Sequence, residues 1–216
     1  MIKIENLTYA YPSSDEENKK FALDGLNIDI NKGEFVAILG HNGSGKSTLG
    51  KLINAQIVPT SGDIYVDGIN AKDHDKIWDV RKKCSMVFQN PDNQMVATTV
   101  EEEVAFGVEN LKIPNPELRN RVDSALKQVG MIDYKKRSPA TLSGGQKQRV
   151  SIAGVIAMLS YYIIFDEPTA MLDPQGRKDV IKLVEELNKD YGKTIIYITH
   201  YMEEAIIADK IIVLDK

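Results

Sequence analysis

EFVAILGHNGSGKSTLGKLI, residues 34–53, is the stretch that decides how this chain folds. Its first six residues are a continuous apolar run, as in strands covered on both faces by helices. Leu49, Leu52, Ile53 and Ile57 then recur at i, i+3, i+4 spacing, which predicts a helix with one buried face. Between the two lies GHNGSGKST (40–48), matching G-x-x-x-x-G-K-[ST] in the strand–loop–helix setting that this pattern needs. Such a loop must wrap its backbone N–H groups around phosphates, and Gly40, Gly43 and Gly45 permit the dihedrals and the close approach. His41, Asn42, Ser44 and Thr48 belong to the same cradle, and the following helix N-terminus adds a positive dipole end. Lys46 is placed to hold the β- and γ-phosphates and Ser47 to ligate Mg²⁺. Nucleotide binding is therefore the first expectation.

The remaining sequence completes an α/β pattern around this loop. Further apolar runs at CSMVF (84–88), YYIIF (161–165), TIIYIT (194–199) and IIVL (211–214) predict a mostly parallel sheet covered on both faces. IKIENLTY, LNIDI and DIYV alternate with period two instead, which predicts an N-terminal antiparallel subdomain, with the polar loop PSSDEENKK between the first two. Val180, Leu183, Val184 and Leu187 mark another amphipathic helix. From about 92 to 141 no strand is expected; Leu118, Val122, Ala125, Leu126 and Val129 share a helical face, with Asn115 and Pro116 suited to its N-cap and N1 positions. The whole of 1–216 reads as a single domain carrying that helical insert.

Composition bounds the function. The 216 residues are 43% hydrophobic and 27% charged, a soluble globular balance. A net charge of −4 offers no basic footprint for nucleic acid. The single cysteine, Cys84, sits in an apolar run and reads as a small buried hydrophobe of a reducing compartment. No run approaches the roughly 18 apolar residues of a membrane span, and the N-terminus lacks a signal-peptide core. The expected location is cytoplasmic, with any membrane role reached through a partner. Asp73, His74 and Asp75 read as a solvated loop rather than a metal cluster.

YYIIFDE (161–167) ends an apolar strand on two carboxylates. With a phosphate loop upstream, Asp166 is placed to hold the Mg²⁺ shell and Glu167 to orient or deprotonate an attacking water. LSGGQ (142–146) is a second Ser-Gly-Gly turn entering a helix, whose plainest reading is an N-cap made by Ser143. A chance match to all five residues arises in perhaps one of several thousand chains, so it outweighs the phosphate loop as a family mark.

On these motifs the sequence resembles the ABC ATPases along its whole length. The resemblance implies their fold, ATP and Mg²⁺ as ligands, and a dimer with two composite sites. Ser143, Gly145 and Gln146 would contact the γ-phosphate held by a second ATPase subunit. It also implies roles for Gln89 in VFQNPDNQ, touching Mg²⁺ and the water, for Asp173 in AMLD, and for His200 in YITH, contacting the γ-phosphate. Tyr11 in LTYAYP would stack on adenine, with Tyr9 as a competing candidate. His41 and His74 otherwise read as surface residues.

QNPDNQMVATTVEEEVAFGVEN (89–110) and RVSIAGVIAM (149–158) further resemble the ATPase subunits of energy-coupling-factor transporters, the cobalt-type CbiO/EcfA group. That implies a peripheral place on the cytoplasmic face of the membrane. The partners would be a transmembrane T-component and a substrate-binding S-component, the cargo a cobalt or nickel ion or a vitamin. The membrane partner is expected beside Gln89, in a groove walled by residues from Pro91 to about Asn110; Glu101 to Glu103 read first as a solvated helix face, with pairing to the partner's basic residues as the alternative. The extension that usually follows the last strand of this group is expected to be absent after Lys216. Two other readings stand beside this one: a repair or translation ABC ATPase, and a GTPase or nucleotide kinase, which LSGGQ and the lack of N-K-x-D disfavour.

Overall fold

The structure is a computed structural model and describes residues 1–12 and 20–215. Strands β1 (Ile2–Ala10) and β2 (Phe21–Ile30) open the chain, and β3 (Phe35–Leu39) runs into helix α1 (Lys46–Ile53). β4 (Ser61–Val66), β5 (Ile69–Asn70) and α2 (Ile77–Lys83) lead to β6 (Cys84–Val87). Helices α3 (Val100–Asn110), α4 (Glu117–Gln128) and α5 (Gly144–Ala157) precede β7 (Tyr162–Asp166). The chain closes with α6 (Pro174–Lys189), β8 (Thr194–Thr199), α7 (Met202–Ala205) and β9 (Lys210–Val213).

Two sheets result. The alternating strands form an antiparallel sheet ordered β2-β1-β4-β5, and the apolar runs form a parallel sheet ordered β6-β7-β8-β3-β9. Period-two geometry explains why the parallel strands needed apolar residues throughout. Phe35, Val87, Ile163, Phe165, Ile195 and Tyr197 face the core built with α3, α4, α5 and α6. Their neighbours Val36, Ile38, Met86, Ile164, Ile196 and Ile198 face the opposite core, shared with α1 and the antiparallel sheet.

Several boundaries depart from the sequence reading. The IIVL run was expected to be covered on both faces, but β9 is an edge strand. It alternates, with Ile211 43% and Val213 64% exposed. Helix α1 stops before Ile57, because Ala55 takes a left-handed φ of 54° that no helix can continue. Helix α4 starts one residue later than expected, at Glu117, with Pro116 rather than Asn115 at the cap and no side-chain capping bond. Residues 92–141 hold α3, α4 and short 3₁₀ turns without a strand. The polar loop read at PSSDEENKK falls, over 13–19, outside the described residues. Cys84 is fully buried, and that burial pushes its thiol pKa upward.

Candidate nucleotide-binding site

Loops at the carboxyl ends of neighbouring parallel strands meet in one cleft, as the order β6-β7-β8-β3 requires. The phosphate loop follows β3, Gln89 follows β6, Asp166 and Glu167 end β7, and His200 follows β8. The cleft holds a cavity of about 720 Å³, lined by Tyr11, Asn42, Gly43, Gly45, Lys46, Ser47, Thr48, Gln89 and Glu167.

Backbone geometry shapes its floor. Gly45 caps α1 at φ 93°, and a Cβ there would lie 2.4 Å from the Ala22 carbonyl oxygen. Only glycine combines that dihedral with that approach. Lys46 is buried, its ammonium donating to the Gly40 and His41 carbonyls at 2.9 and 3.0 Å. Glu167 has a left-handed φ of 46°, and its amide donates to the Ile198 carbonyl at 2.9 Å. Non-glycine residues in that region concentrate where function holds them.

The polar contacts converge on that glutamate. Gln89 Nε2 donates to Glu167 Oε2 at 3.0 Å, His200 Nδ1 lies 3.3 Å from the same oxygen, and Lys46 Nζ lies 3.7 Å from Oε1. Ser47 donates its hydroxyl to Asp166 Oδ1 at 2.8 Å. Burial, reinforced by the neighbouring Glu167 charge against a bond from Ser47, pushes the Asp166 carboxyl above its ordinary range. A cation beside these oxygens would offset that penalty on the charged carboxylate. The set of hydroxyl, carboxylate and amide oxygens suits Mg²⁺, which is held by one or two carboxylates plus substrate phosphates rather than by an all-protein cage. No group of three or more His, Cys, Asp or Glu residues able to hold a metal occurs among the described residues.

At the mouth, Tyr11 is 49% exposed, and its hydroxyl lies 2.9 Å from Thr48 Oγ1. Tyr9 is buried and meets Tyr11 edge-on at 5.0 Å, so the outer ring is the one available to a ligand. Phe21, 47% exposed, and Pro12, Lys20 and Ala22 also line the cavity and were missed in the sequence. The available signal was an aromatic residue opening β2 at an outward register position. Gly40, His41 and Ser44 shape the loop but do not line the cavity; the Ser44 hydroxyl is buried without a hydrogen-bond partner.

The signature residues are not brought here. Ser143 caps α5, accepting from Gln146 N at 3.4 Å, while Gln146 Oε1 accepts from Ser143 N at 3.0 Å. Gly145 lies in the first turn of that helix, and Asp173 caps α6, accepting from Gly176 N at 2.9 Å. None of these four residues lines the cavity.

A second cavity of about 710 Å³ adjoins the first through Ser47 and Gln89. Its wall includes Asn90, Gln94, Glu103, Phe106 and Met158. The carboxylates of the acidic run on α3 have partners within the chain. Glu101 pairs with Lys136, Glu102 closes a capping box with Thr99, and Glu103 accepts from the Val96 and Ala97 amides at 2.8 and 2.9 Å. No helix of the described residues is long and apolar enough to cross a membrane.

Residues 23–170 match the family model described as ABC transporter. The chain is 59% identical to the energy-coupling factor transporter ATP-binding protein EcfA1 of Clostridium novyi (strain NT), covering 100% of this chain and 77% of that protein. It is 54% identical to the EcfA1 protein of Caldanaerobacter subterraneus subsp. tengcongensis, again over 100% of this chain and 77% of the relative. Among solved structures, cbiO1 from Clostridium perfringens, part of the ABC transporter complex cbiONQ, superposes with a TM-score of 0.87 at 41% identity. The match covers 99% of this chain and 84% of that one. The ATP-binding cassette MJ0796, in a dimeric post-hydrolysis state bound to ADP and Pi, superposes with a TM-score of 0.89 at 34% identity. Here the coverage is 100% of this chain and 94% of that one.

Proposed function

The chain belongs to the ABC transporter family, in its branch of energy-coupling-factor ATP-binding proteins, and from that premise we propose that it hydrolyses ATP to power import through such a transporter. The cargo class is a metal ion or a vitamin. The observation that carries the catalytic half is the convergence of Gln89, His200 and Lys46 on the Glu167 carboxylate, within 3.0–3.7 Å.

Phosphoryl transfer asks a protein mainly for positioning and for charge aimed at the transferring group. The phosphate-loop amides and Lys46 bind the phosphates, while Tyr11 and Phe21 offer faces to the base. Ser47, Asp166 and Gln89 would hold Mg²⁺, which when bound would supply positive charge against the β- and γ-phosphate oxygens. Glu167 takes the proton of the attacking water, Gln89 orients that carboxylate, and His200 contacts the γ-phosphate. Ser143, Gly145, Gln146 and Asp173 serve the nucleotide of a second ATPase subunit. Their absence from this chain's own cavity supports that division. In this reading the cavity beside Gln89 is the seat of a transmembrane component, and the chain works on the cytoplasmic face of the membrane. Partly exposed Phe106 and amide-bearing Gln94 in its wall support that assignment.

The test is Mg²⁺-dependent hydrolysis by the assembled transporter. Lys46→Ala is expected to abolish productive nucleotide binding and turnover together. Hydrolysis at the parent rate by that variant would refute the proposal.

A further inference from the structure

We propose that Glu204 is a positioning residue that sets the separation of Glu167 and His200, a role resting on the catalytic reading above. Glu204 lies on the four-residue helix α7, outside the catalytic cavity and outside every motif read from the sequence. It is only 2% exposed, and a carboxylate is rarely buried so completely without partners to hold it.

Its partners come from both catalytic loops. Thr169 donates its hydroxyl to Glu204 Oε1 at 2.6 Å, and Thr199 donates its hydroxyl to Oε2 at 2.6 Å. The Tyr197 hydroxyl donates to Oε2 at 3.4 Å. Thr169 stands two residues after Glu167, on the loop following β7. Thr199 directly precedes His200 at the end of β8, and its Oγ1 also accepts from the Tyr201 amide at 3.0 Å. A single carboxylate thus ties together the two loops whose side chains meet at 3.3 Å in the cleft.

A second path runs through α6. Arg177 Nε lies 3.7 Å from Glu204 Oε1 and has no hydrogen-bond partner, so its link to the carboxylate is one of charge. The same guanidinium lies over the Tyr201 ring, 4.1 Å from its centroid, and that ring lies 4.0 Å from the His200 ring. Glu204 therefore reaches His200 both through the backbone at Thr199 and through a stack of three planar groups. Burial and the Glu204 charge push the Tyr197 phenol pKa upward.

The experiment compares Glu204→Gln, Thr199→Val, Thr199→Ser and Arg177→Met. In the assembled transporter, Glu204→Gln and Thr199→Val are expected to lower kcat by about tenfold to a hundredfold, because small misplacement of reacting groups costs that much. KM for MgATP is expected to stay within about twofold, and Thr199→Ser, which keeps the hydroxyl, restores turnover. In parallel, histidine-ring NMR on the purified chain has three histidines to follow. The His200 signals are expected to move in Glu204→Gln, Thr199→Val and Arg177→Met while those of His41 and His74 stay in place. Should Glu204→Gln fail to fold, the Thr199 and Arg177 variants carry the same test. Unmoved His200 signals in the folded variants overturn the proposal whatever the turnover. Moved signals in a chain whose Lys46→Ala variant still hydrolyses ATP would leave the strut standing and remove the catalytic reading instead.

Discussion

Glu167 leaves β7 in a left-handed backbone conformation with three polar side chains on its carboxylate. Replacing it by glutamine preserves size and hydrogen-bonding capacity but removes a base of useful strength. Glu167→Gln is expected to keep ATP binding, lower turnover by about 10²–10⁴-fold and trap an ATP-bound dimer. Single-turnover hydrolysis with a parallel binding titration checks this, and an unchanged rate would take the proton-acceptor role from Glu167. Gly45 is constrained just as tightly by shape. Gly45→Ala must hold a left-handed dihedral costing roughly 1–2 kcal/mol and also force apart a Cβ–carbonyl contact of 2.4 Å. Lower thermal stability together with weakened nucleotide binding is the expected outcome; a variant matching the parent in both would show that the loop relaxes freely. Both residues were legible in the sequence because each sits in a contiguous motif. Phe21 and Glu204 were not, because their partners are remote along the chain.

Helix α3 shows how an element can use a charge run that the sequence leaves open. Thr99 and Glu102 satisfy the orphan amides at its N-terminus, the acidic first turn complements the helix dipole, and Glu103 holds the preceding loop by two amides. The three carboxylates thereby each have a partner within the chain. What remains for a partner is the apolar and amide surface: Val96, 69% exposed, Phe106, 53% exposed, and Gln94 in the cavity wall. Val96→Arg combined with Gln94→Trp is expected to leave ATP affinity and melting temperature unchanged while the membrane component no longer copurifies. Undiminished copurification with transport retained would place the docking surface elsewhere. By contrast, Glu103→Ala should loosen the 96–97 loop itself, seen as faster amide exchange there.

Across the whole molecule, the two sheets are pinned at Asp67, in the β4–β5 turn of the antiparallel sheet. Its Oδ1 accepts from the Tyr162 hydroxyl of β7 at 2.6 Å and from the Met1 amino group at 2.8 Å, and Lys32 and Lys83 lie at 3.3 and 3.4 Å. Burial alone would raise its pKa. The hydrogen bonds from the amino group, Tyr162 and Lys32 outweigh that and hold the carboxyl well below the usual range. A depressed folded-state pKa gives stability that is fully present above the unfolded value, about 3.9. It is lost as pH falls through the folded value. Asp67→Asn is therefore expected to cost about 1–3 kcal/mol at neutral pH, with the deficit relative to the parent shrinking below about pH 4. Urea melts at pH 7 and pH 3 check this. A deficit that stayed the same at both would show that the carboxylate charge contributes nothing.

The sequence by itself determined the architecture and the chemistry of the phosphate end. Continuous apolar runs favour strands buried on both faces, as β3, β6, β7 and β8 are, and a glycine loop between such a strand and a helix reads as a phosphate cradle. It also determined the family, since LSGGQ and residues 89–110 are contiguous strings. Tertiary structure decided everything that depends on which strands are neighbours. β9 became a half-exposed edge because nothing covers its outer side among the described residues, and Tyr11 rather than Tyr9 stands open at the cleft because β1 ends at Ala10, leaving Tyr9 packed in the sheet and Tyr11 just beyond it. Glu103 of the acidic run on α3 found its partners in the loop before the helix, whose Val96 and Ala97 amides lie within reach. Thr169, Thr199 and Glu204 met because β7 and β8 are adjacent and parallel, so that loops more than thirty residues apart end at the same edge of one sheet.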